Sequence, residues 1–354
     1  MNAEQLEKIE KSIENLRNKN SRLYFLVQDT KGNAKASIAY IYRMALTLKN
    51  NGFNSIILHE KSDYMGVSEW LGTEFETIPH VSIEAEGQRL QVAPEDFIVL
   101  PELYGFVMSQ IANLPCGKIA LSQCYDYIFE TLQPGQSWTQ LGFYKCITTS
   151  EQQKEHISNI MRGVSIDVIE PFISDKFKKS KFPPNPIIAI HTREPRDTHN
   201  IIKEFYLKFP QYRWVTFRDM RGVTESEFAN VFQSSFMSVW VDDTSSYGTF
   251  PLESMKSGVP CMGVVPKMIP SWISEDNGLW VNNRKDLVDF IADFLQNWLE
   301  DNISETLMSE MDKTVENLPT KEQFENSVVS HFQGYINSRL TNFEEQINKL
   351  QTVE

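Results

Sequence analysis

Within ten positions, residues 244–253, the chain sets small and hydroxylated residues, a glycine and a carboxylate close together. Thr244, Ser245, Ser246, Tyr247, Gly248, Thr249 and Phe250 read as a loop that runs straight into a helix. Small residues and glycine there let backbone N–H groups approach an anion, and the helix dipole favours negative charge at that end. The pattern opens the helix near Pro251 and puts Glu253 in its first turn, where a carboxylate can take hydroxyl groups of a ligand. A phosphorylated sugar or a nucleotide offers both chemistries.

The elements that position this loop are legible on either side. Val239–Val265 reads as a buried strand, the loop, an amphipathic helix, a Gly-Val-Pro turn and a second buried strand. Further units of this kind occur along the chain. Arg22–Gln28 is a first strand, Asp29–Ala36 a polar turn with Gly32, Ser37–Asn50 a helix and Asn54–His59 a second strand. Phe97–Leu100, Lys118–Leu121 and Tyr144–Thr148 follow as strands, then a helix over Glu151–Met161. Val168–Pro186, with its prolines and lysines, reads as an interdomain connection. A second set begins with a strand at Ile187–His191, a helix at His199–Phe209, a strand at Trp214–Phe217 and a helix at Glu225–Ser234. After the Val239–Val265 unit come a short strand at Leu279–Val281, a helix at Arg284–Leu299 and a mostly helical tail. The expected division is an N-terminal amphipathic helix (1–20), a first Rossmann-like domain (21–167), the linker (168–186), a second such domain (187–325) and closing helices (326–354).

Composition narrows the classes. The chain has 354 residues, enough for two cores, with 41% hydrophobic and 23% charged residues. A net charge of −13 argues against a nucleic-acid partner. The first 20 residues lack the apolar core of a signal peptide, and no run approaches the about 20 apolar residues that span a bilayer. Cys116, Cys124, Cys146 and Cys261 are scattered without a C-x-x-C pair, as buried free thiols would be. A cytoplasmic protein is expected. The lysines of Asp175–Lys181 have the chemistry to touch anionic lipid at the inner face of the membrane, the simpler alternative being a solvated connector. The stripe Leu6, Ile9, Ile13, Leu16 leaves three uses open: docking on the protein itself, pairing with the tail, or a homodimer. No Walker motif and no Gly-x-Ser-x-Gly elbow occurs.

Leu252-Glu253-Ser254-Met255-Lys256-Ser257-Gly258-Val259-Pro260, with Tyr247-Gly248 before it, resembles the donor-binding motif E-x-F-G-x-x-x-x-E-A-M-A-x-G-x-P of retaining family-4 glycosyltransferases. The first glutamate of that motif falls on Ser245, and the acidic pair Asp242-Asp243 is out of register. The resemblance implies an α/β fold of the GT-B type: two facing Rossmann-like domains, an interdomain cleft and a C-terminal helix crossing back. It implies that Glu253 binds the ribose hydroxyls of a nucleotide, and that Ser246, Tyr247, Gly248, Thr249 and Phe250 meet the donor phosphates or sugar, with the contact at Ser245 weakened or moved. Arg193, then Arg196, are the candidates for the cations that stabilise the leaving diphosphate, and Lys203 could replace either. Met220 and Arg221 would bracket the base, and Gly32 would approach the donor phosphate or the acceptor. On the acceptor side the resemblance points to Glu102, Tyr104, Tyr125 and Asp126, although the histidine common in that region of the family is missing.

The resulting expectation is a glycosyltransferase, of hexosyltransferase type, that moves a sugar from a nucleotide sugar to a glycan, lipid-linked or protein acceptor. Retention of configuration follows from the resemblance. No Asp-x-Asp triplet, the metal–diphosphate device of the other large glycosyltransferase fold, is present, and the six histidines lack metal-ligand spacing. No metal and no cofactor is expected, the nucleotide sugar being a substrate. The alternative is a weak or inactive transferase-like module that binds nucleotide or glycan within a complex.

Overall fold

The computed structural model describes residues 3–84, 90–244 and 247–351. The chain divides into two compact units, Met1–Glu170 with Glu322–Glu354, and Pro171–Lys321.

The first unit carries α1 (Ala3–Arg17), β1 (Arg22–Val27), α2 (Ala36–Asn50), β2 (Asn54–His59), β3 (His80–Ser82), β4 (Phe97–Pro101), α3 (Gly105–Gln110), β5 (Gly117–Ser122), α4 (Tyr125–Thr131), β6 (Lys145–Thr148), α5 (Glu151–Ile160) and β7 (Ser165–Val168). The strands form one parallel sheet in the order β3-β2-β1-β4-β5-β6-β7. Order reverses beside β1, the place where α/β sheets open a crevice at the carboxyl ends of their strands. Strands buried on both faces read as unbroken apolar runs, which is why RLYFLV and FIVLP were easy to place. Residues Tyr24, Leu26, Ile98 and Leu100 pack with Met108, Ile128 and Ile157 of α3, α4 and α5 on one face. The first helix docks on its own unit. Ile13 and Leu16 are buried, and Ser12 and Asn15 donate to the Glu95 carboxylate at 2.8 and 2.6 Å.

The second unit carries β8 (Asn185–Thr192), α6 (Pro195–Lys208), β9 (Thr216–Asp219), α7 (Glu225–Ser234), β10 (Ser235–Val241), α8 (Thr249–Lys256), β11 (Cys261–Val264), β12 (Leu279–Val281), α9 (Leu287–Leu299) and α10 (Glu305–Glu316). Its five strands are parallel in the order β12-β11-β10-β8-β9, with β10 buried along its whole length. The expected linker 168–186 is not a free connector. Ile173 and Phe177 belong to this core, and Lys176 and Lys179 pair with Glu225 and Asp312. A proline- and lysine-rich sequence concealed two apolar anchors four residues apart.

The last helix, α11 (Lys321–Gln351), is counted with the first unit from Glu322 onward. Phe332 packs on Phe25 of β1, Phe324 meets Tyr40 edge-on, and Tyr335 donates to Asp167 at 2.7 Å. Among the described residues no helix is long and apolar enough to cross a membrane.

Candidate functional site

In the second unit the candidate residues gather at the carboxyl ends of β8, β9 and β10. Gly248 is the N-cap of α8 and adopts φ +72, the left-handed region that favours glycine. A Cβ there would lie 3.0 Å from the Trp240 ring and 3.2 Å from that of Trp272, so the backbone favours glycine and any larger residue would have to press the two rings back. The indole of Trp272 donates to the carbonyl oxygen of Tyr247 at 2.6 Å and fixes the loop from outside. A glycine cap has no side chain to satisfy the first N–H groups of the helix, which leaves the amides of Thr249 and Phe250 available to an external acceptor. Ser245 and Ser246 lie outside the described residues.

The helix begins at Thr249, two residues before the expected start at Pro251, because a proline is tolerated anywhere in the first turn, where N–H groups have no intrahelical partner. Glu253 is therefore the fifth helical residue and stands in the second turn. Its side chain is half-buried. Helical Cα–Cβ bonds tilt toward the N-terminus, so a long carboxylate at that position still addresses the helix start. Phe250 and Tyr247 are buried, Phe250 against Phe228, Phe232 and the ring of His191. Any contact these two residues make to a ligand is through backbone.

Arg193 follows β8 directly. Its N–H donates to the Val241 carbonyl at 2.8 Å, and its Nε lies 3.6 Å from Asp242 Oδ1. The same oxygen accepts from Thr244 N and Oγ1 at 3.2 and 3.1 Å. Asp242, almost fully buried, thus ties the arginine to the start of the loop that leads to α8. Sequence reading passed over Asp242 because it is out of register with the family's first glutamate. Its position directly after the apolar run Val239–Val241 was the available signal. His191, half-buried one residue before Thr192, has its pKa lowered first by desolvation and also by Arg221 and Arg193, against the pull of Asp242 and Asp219. It is a neutral imidazole at pH 7.

Other candidates are placed differently from expectation. The helix expected at His199 begins at Pro195, so Arg196 is in its first turn, exposed, and Lys203 lies exposed two turns further on. Strand β9 is displaced to Thr216–Asp219, two residues beyond the expected Trp214–Phe217, since Trp214 is about half exposed and Val215 takes the core position. Met220 is buried in the core and its N–H donates to Ile190 O at 3.0 Å, so neither its side chain nor its N–H is presented to a base. Arg221 is engaged by Asp219 through Nε at 3.1 Å to both oxygens.

In the first unit, Gly32 adopts φ +79 in the turn after β1, with room for a Cβ. Glu102 is fully buried. Its Oε1 accepts from the N–H groups of Gln123 and Cys124 at 3.0 and 2.7 Å, and desolvation pushes its pKa up to about 7. The side chain therefore shapes the start of α4 and is not presented to an acceptor. Tyr104 is buried too. Tyr125 and Asp126, expected in a loop, open α4. Both are half-buried, and Tyr125 meets His156 edge-on at 5.3 Å.

No family model matches the chain. An alpha-1,6-glucosyltransferase of Actinobacillus pleuropneumoniae serotype 7 (strain AP76) is 23% identical over 244 residues, 65% of this chain and 72% of that protein. Among solved structures, sucrose-phosphate synthase from Thermosynechococcus elongatus aligns with a TM-score of 0.63 over 90% of this chain and 100% of its own, at 12% identity. The fold is GT-B. A second GT-B neighbour, Anabaena HepE in complex with UDP-glucose, aligns with a TM-score of 0.59 over 88% of this chain and 99% of its own, at 12% identity.

Proposed function

We propose that the chain is a glycosyltransferase that moves a hexose-type sugar from a nucleotide sugar to a glycan, lipid-linked or protein acceptor, with retention of configuration and without a metal. The observation that carries the reading is the glycine-capped start of α8, with Glu253 one turn on and Arg193 tethered to the loop that precedes it. The GT-B fold and the alpha-1,6-glucosyltransferase relative support it, and the UDP-glucose complex of HepE makes UDP-glucose the first donor to test.

In this reading the α8 amides of Thr249 and Phe250 hold the diphosphate, and Glu253 accepts from the two ribose hydroxyls, a charge-assisted pair of bonds. Arg193, with Arg196 or Lys203 as a further cation, offsets the charge that grows on the leaving diphosphate. The bond from the anomeric carbon to the diphosphate oxygen breaks while the acceptor oxygen bonds to the same carbon on the same face. The acceptor proton passes to the departing phosphate, so no protein base is needed. The test is release of UDP from UDP-glucose, with the anomeric configuration of the product read by NMR and EDTA present throughout. Turnover with retention, abolished in Glu253→Ala, is expected. Inversion, or a strict need for added metal, would contradict the mechanism. No release from any nucleotide sugar would favour a binding module instead.

A further inference from the structure

In the second unit α6 and α9 lie side by side, and the seam between them faces solvent. Two polar contacts stitch it. Lys208 Nζ donates to Asp289 Oδ2 at 2.6 Å, and the hydroxyl of Tyr212, in the turn after α6, donates to Gln296 Oε1 at 2.8 Å. Three large apolar side chains stand out along these contacts. Leu207 precedes Lys208 and is 82% exposed, and Phe290 follows Asp289 and is 48% exposed. Trp214 meets the ring of Tyr212 edge-on at 6.3 Å and is 46% exposed.

Both helices already bury an inner face, Ile201 and Phe205 in α6 and Leu287, Ile291 and Leu295 in α9. The outer face of such a helix is ordinarily polar. Single exposed apolar side chains are common, but three along one seam mark an interaction surface.

The charges say what covers it. On the α6 side Lys203 and Glu204 offset each other, which leaves Lys208 and Arg213. On the α9 side stand Asp289 and Asp293. The face is therefore basic along one flank, apolar along the middle and acidic along the other. Such a surface is complementary to itself. A two-fold axis along the seam lays the apolar strip of one copy on that of the other, and the basic flank of each on the acidic flank of the other. Lys208 and Asp289 then join their counterparts in a ring of alternating charge. An anionic membrane, or a partner of a single sign of charge, is repelled by one flank.

We propose that this face of α6 and α9 is the interface of a homodimer, with Leu207, Phe290 and Trp214 at its centre. The stripe of α1 is already used, since Ile13 and Leu16 are buried on their own unit. The proposal does not depend on the transferase reading. The face is only two helices wide, so the dissociation constant is expected on the order of micromolar.

The test is sedimentation velocity of the full chain from about 1 to 100 µM. The variants are Leu207→Asp, Phe290→Asp, Lys208→Glu, and Lys208→Glu combined with Asp289→Lys. Phe106→Asp, at a phenylalanine 75% exposed in α3 of the first unit, is the control. All five change exposed or half-exposed side chains, and an unchanged melting temperature verifies each fold. Wild type and control are expected to pass from monomer to dimer over the same concentrations. Leu207→Asp and Phe290→Asp should each raise the dissociation constant at least tenfold. Lys208→Glu should raise it as well, and the double exchange should restore it, because the flanks swap sign and stay complementary. A wild type that is monomeric throughout would overturn the proposal. So would a dimer that ignores Leu207→Asp and Phe290→Asp, or one that Phe106→Asp weakens as much as they do.

Discussion

The indole N–H of Trp272 points at the backbone carbonyl of Tyr247, 2.6 Å away, and its ring stands 3.2 Å from where a Cβ of Gly248 would be. Trp272 is itself held: Asn277, 1% exposed, donates to the Trp272 carbonyl and to Thr314 Oγ1 at 2.9 Å, and accepts from Ser274 N and Trp280 Nε1 at 3.0 and 3.1 Å. The loop that caps α8 is thus fixed through a side chain 25 residues further along the chain. Trp272→Phe keeps one six-membered aromatic ring and removes the N–H donor together with the five-membered ring. Loss of one such bond costs about 1 kcal/mol, which corresponds to roughly fivefold in affinity. Calorimetric titration of UDP should show that weakening with little change in the melting temperature. Unchanged affinity would separate the indole from the donor site.

Two glycines with the same backbone sign should respond differently to a methyl group. At Gly32 an alanine meets only ordinary contacts at 3.7 Å or more, so its cost is the left-handed strain alone, about 1 kcal/mol. At Gly248 the same change adds a clash with two tryptophan rings at 3.0–3.2 Å. Gly248→Ala should cost about 2–4 kcal/mol, strain plus overpacking, against about 1 kcal/mol for Gly32→Ala. Urea unfolding of both variants checks the order, and equal losses would refute the packing argument.

Arg193 and Arg196 are separable by position. The first is joined to Asp242 at the strand ends, whereas the second sits exposed in the first turn of α6. Removing a group that stabilises charge in the transition state costs about 10²–10³ in kcat. Arg193→Ala should show a loss of that order, with some loss of stability because the buried Asp242 carboxylate loses its cation, and Arg196→Ala should lose less than tenfold. A reversed order, read from steady-state rates of UDP release, would move the diphosphate toward α6.

Glu102 gives a pH dependence with a definite sign. Its folded pKa is raised from 4.5 to about 7, mainly by desolvation, so the native state holds a proton that the unfolded chain releases. That contribution is fully present below about pH 4.5 and is lost as pH rises to about 7. The shift corresponds to about 3 kcal/mol. Glu102→Gln keeps an oxygen for the Gln123 and Cys124 amides and removes the titration. The stability of wild type relative to this variant should fall by about 3 kcal/mol between pH 4.5 and 7.5. A flat difference would show that Glu102 is ionised at neutral pH.

The strands and the motif around Glu253 were legible because buried parallel strands are continuous apolar runs with sharp ends. Asn54–His59 and Leu279–Val281 are found at their expected residues. Short pieces without such runs were missed. His80–Ser82 is half-buried and three residues long, and Gly105–Gln110 has too few residues for a helical stripe. Within the candidate site, local sequence identified Glu253 and Arg193 but not what orients them. The ties through Asp242, Trp272 and Asn277 join residues up to 49 positions apart, such as Arg193 and Asp242, and no local pattern marks them. Burial likewise escaped the sequence. Glu102, Tyr104, Met220 and Phe250 look like loop residues beside a site, and the packing turns their side chains inward.

The central claim is that the start of α8 with Glu253 is a nucleotide site, and calorimetric titration of UDP into wild type and Glu253→Ala tests it most directly. Loss of a carboxylate that accepts two ribose hydroxyls should weaken binding by about 3–6 kcal/mol, two charge-assisted bonds of about 1.5–3 kcal/mol each. Binding in wild type that falls below detection in the variant is the predicted result. Equal UDP affinity in the two proteins would contradict the account.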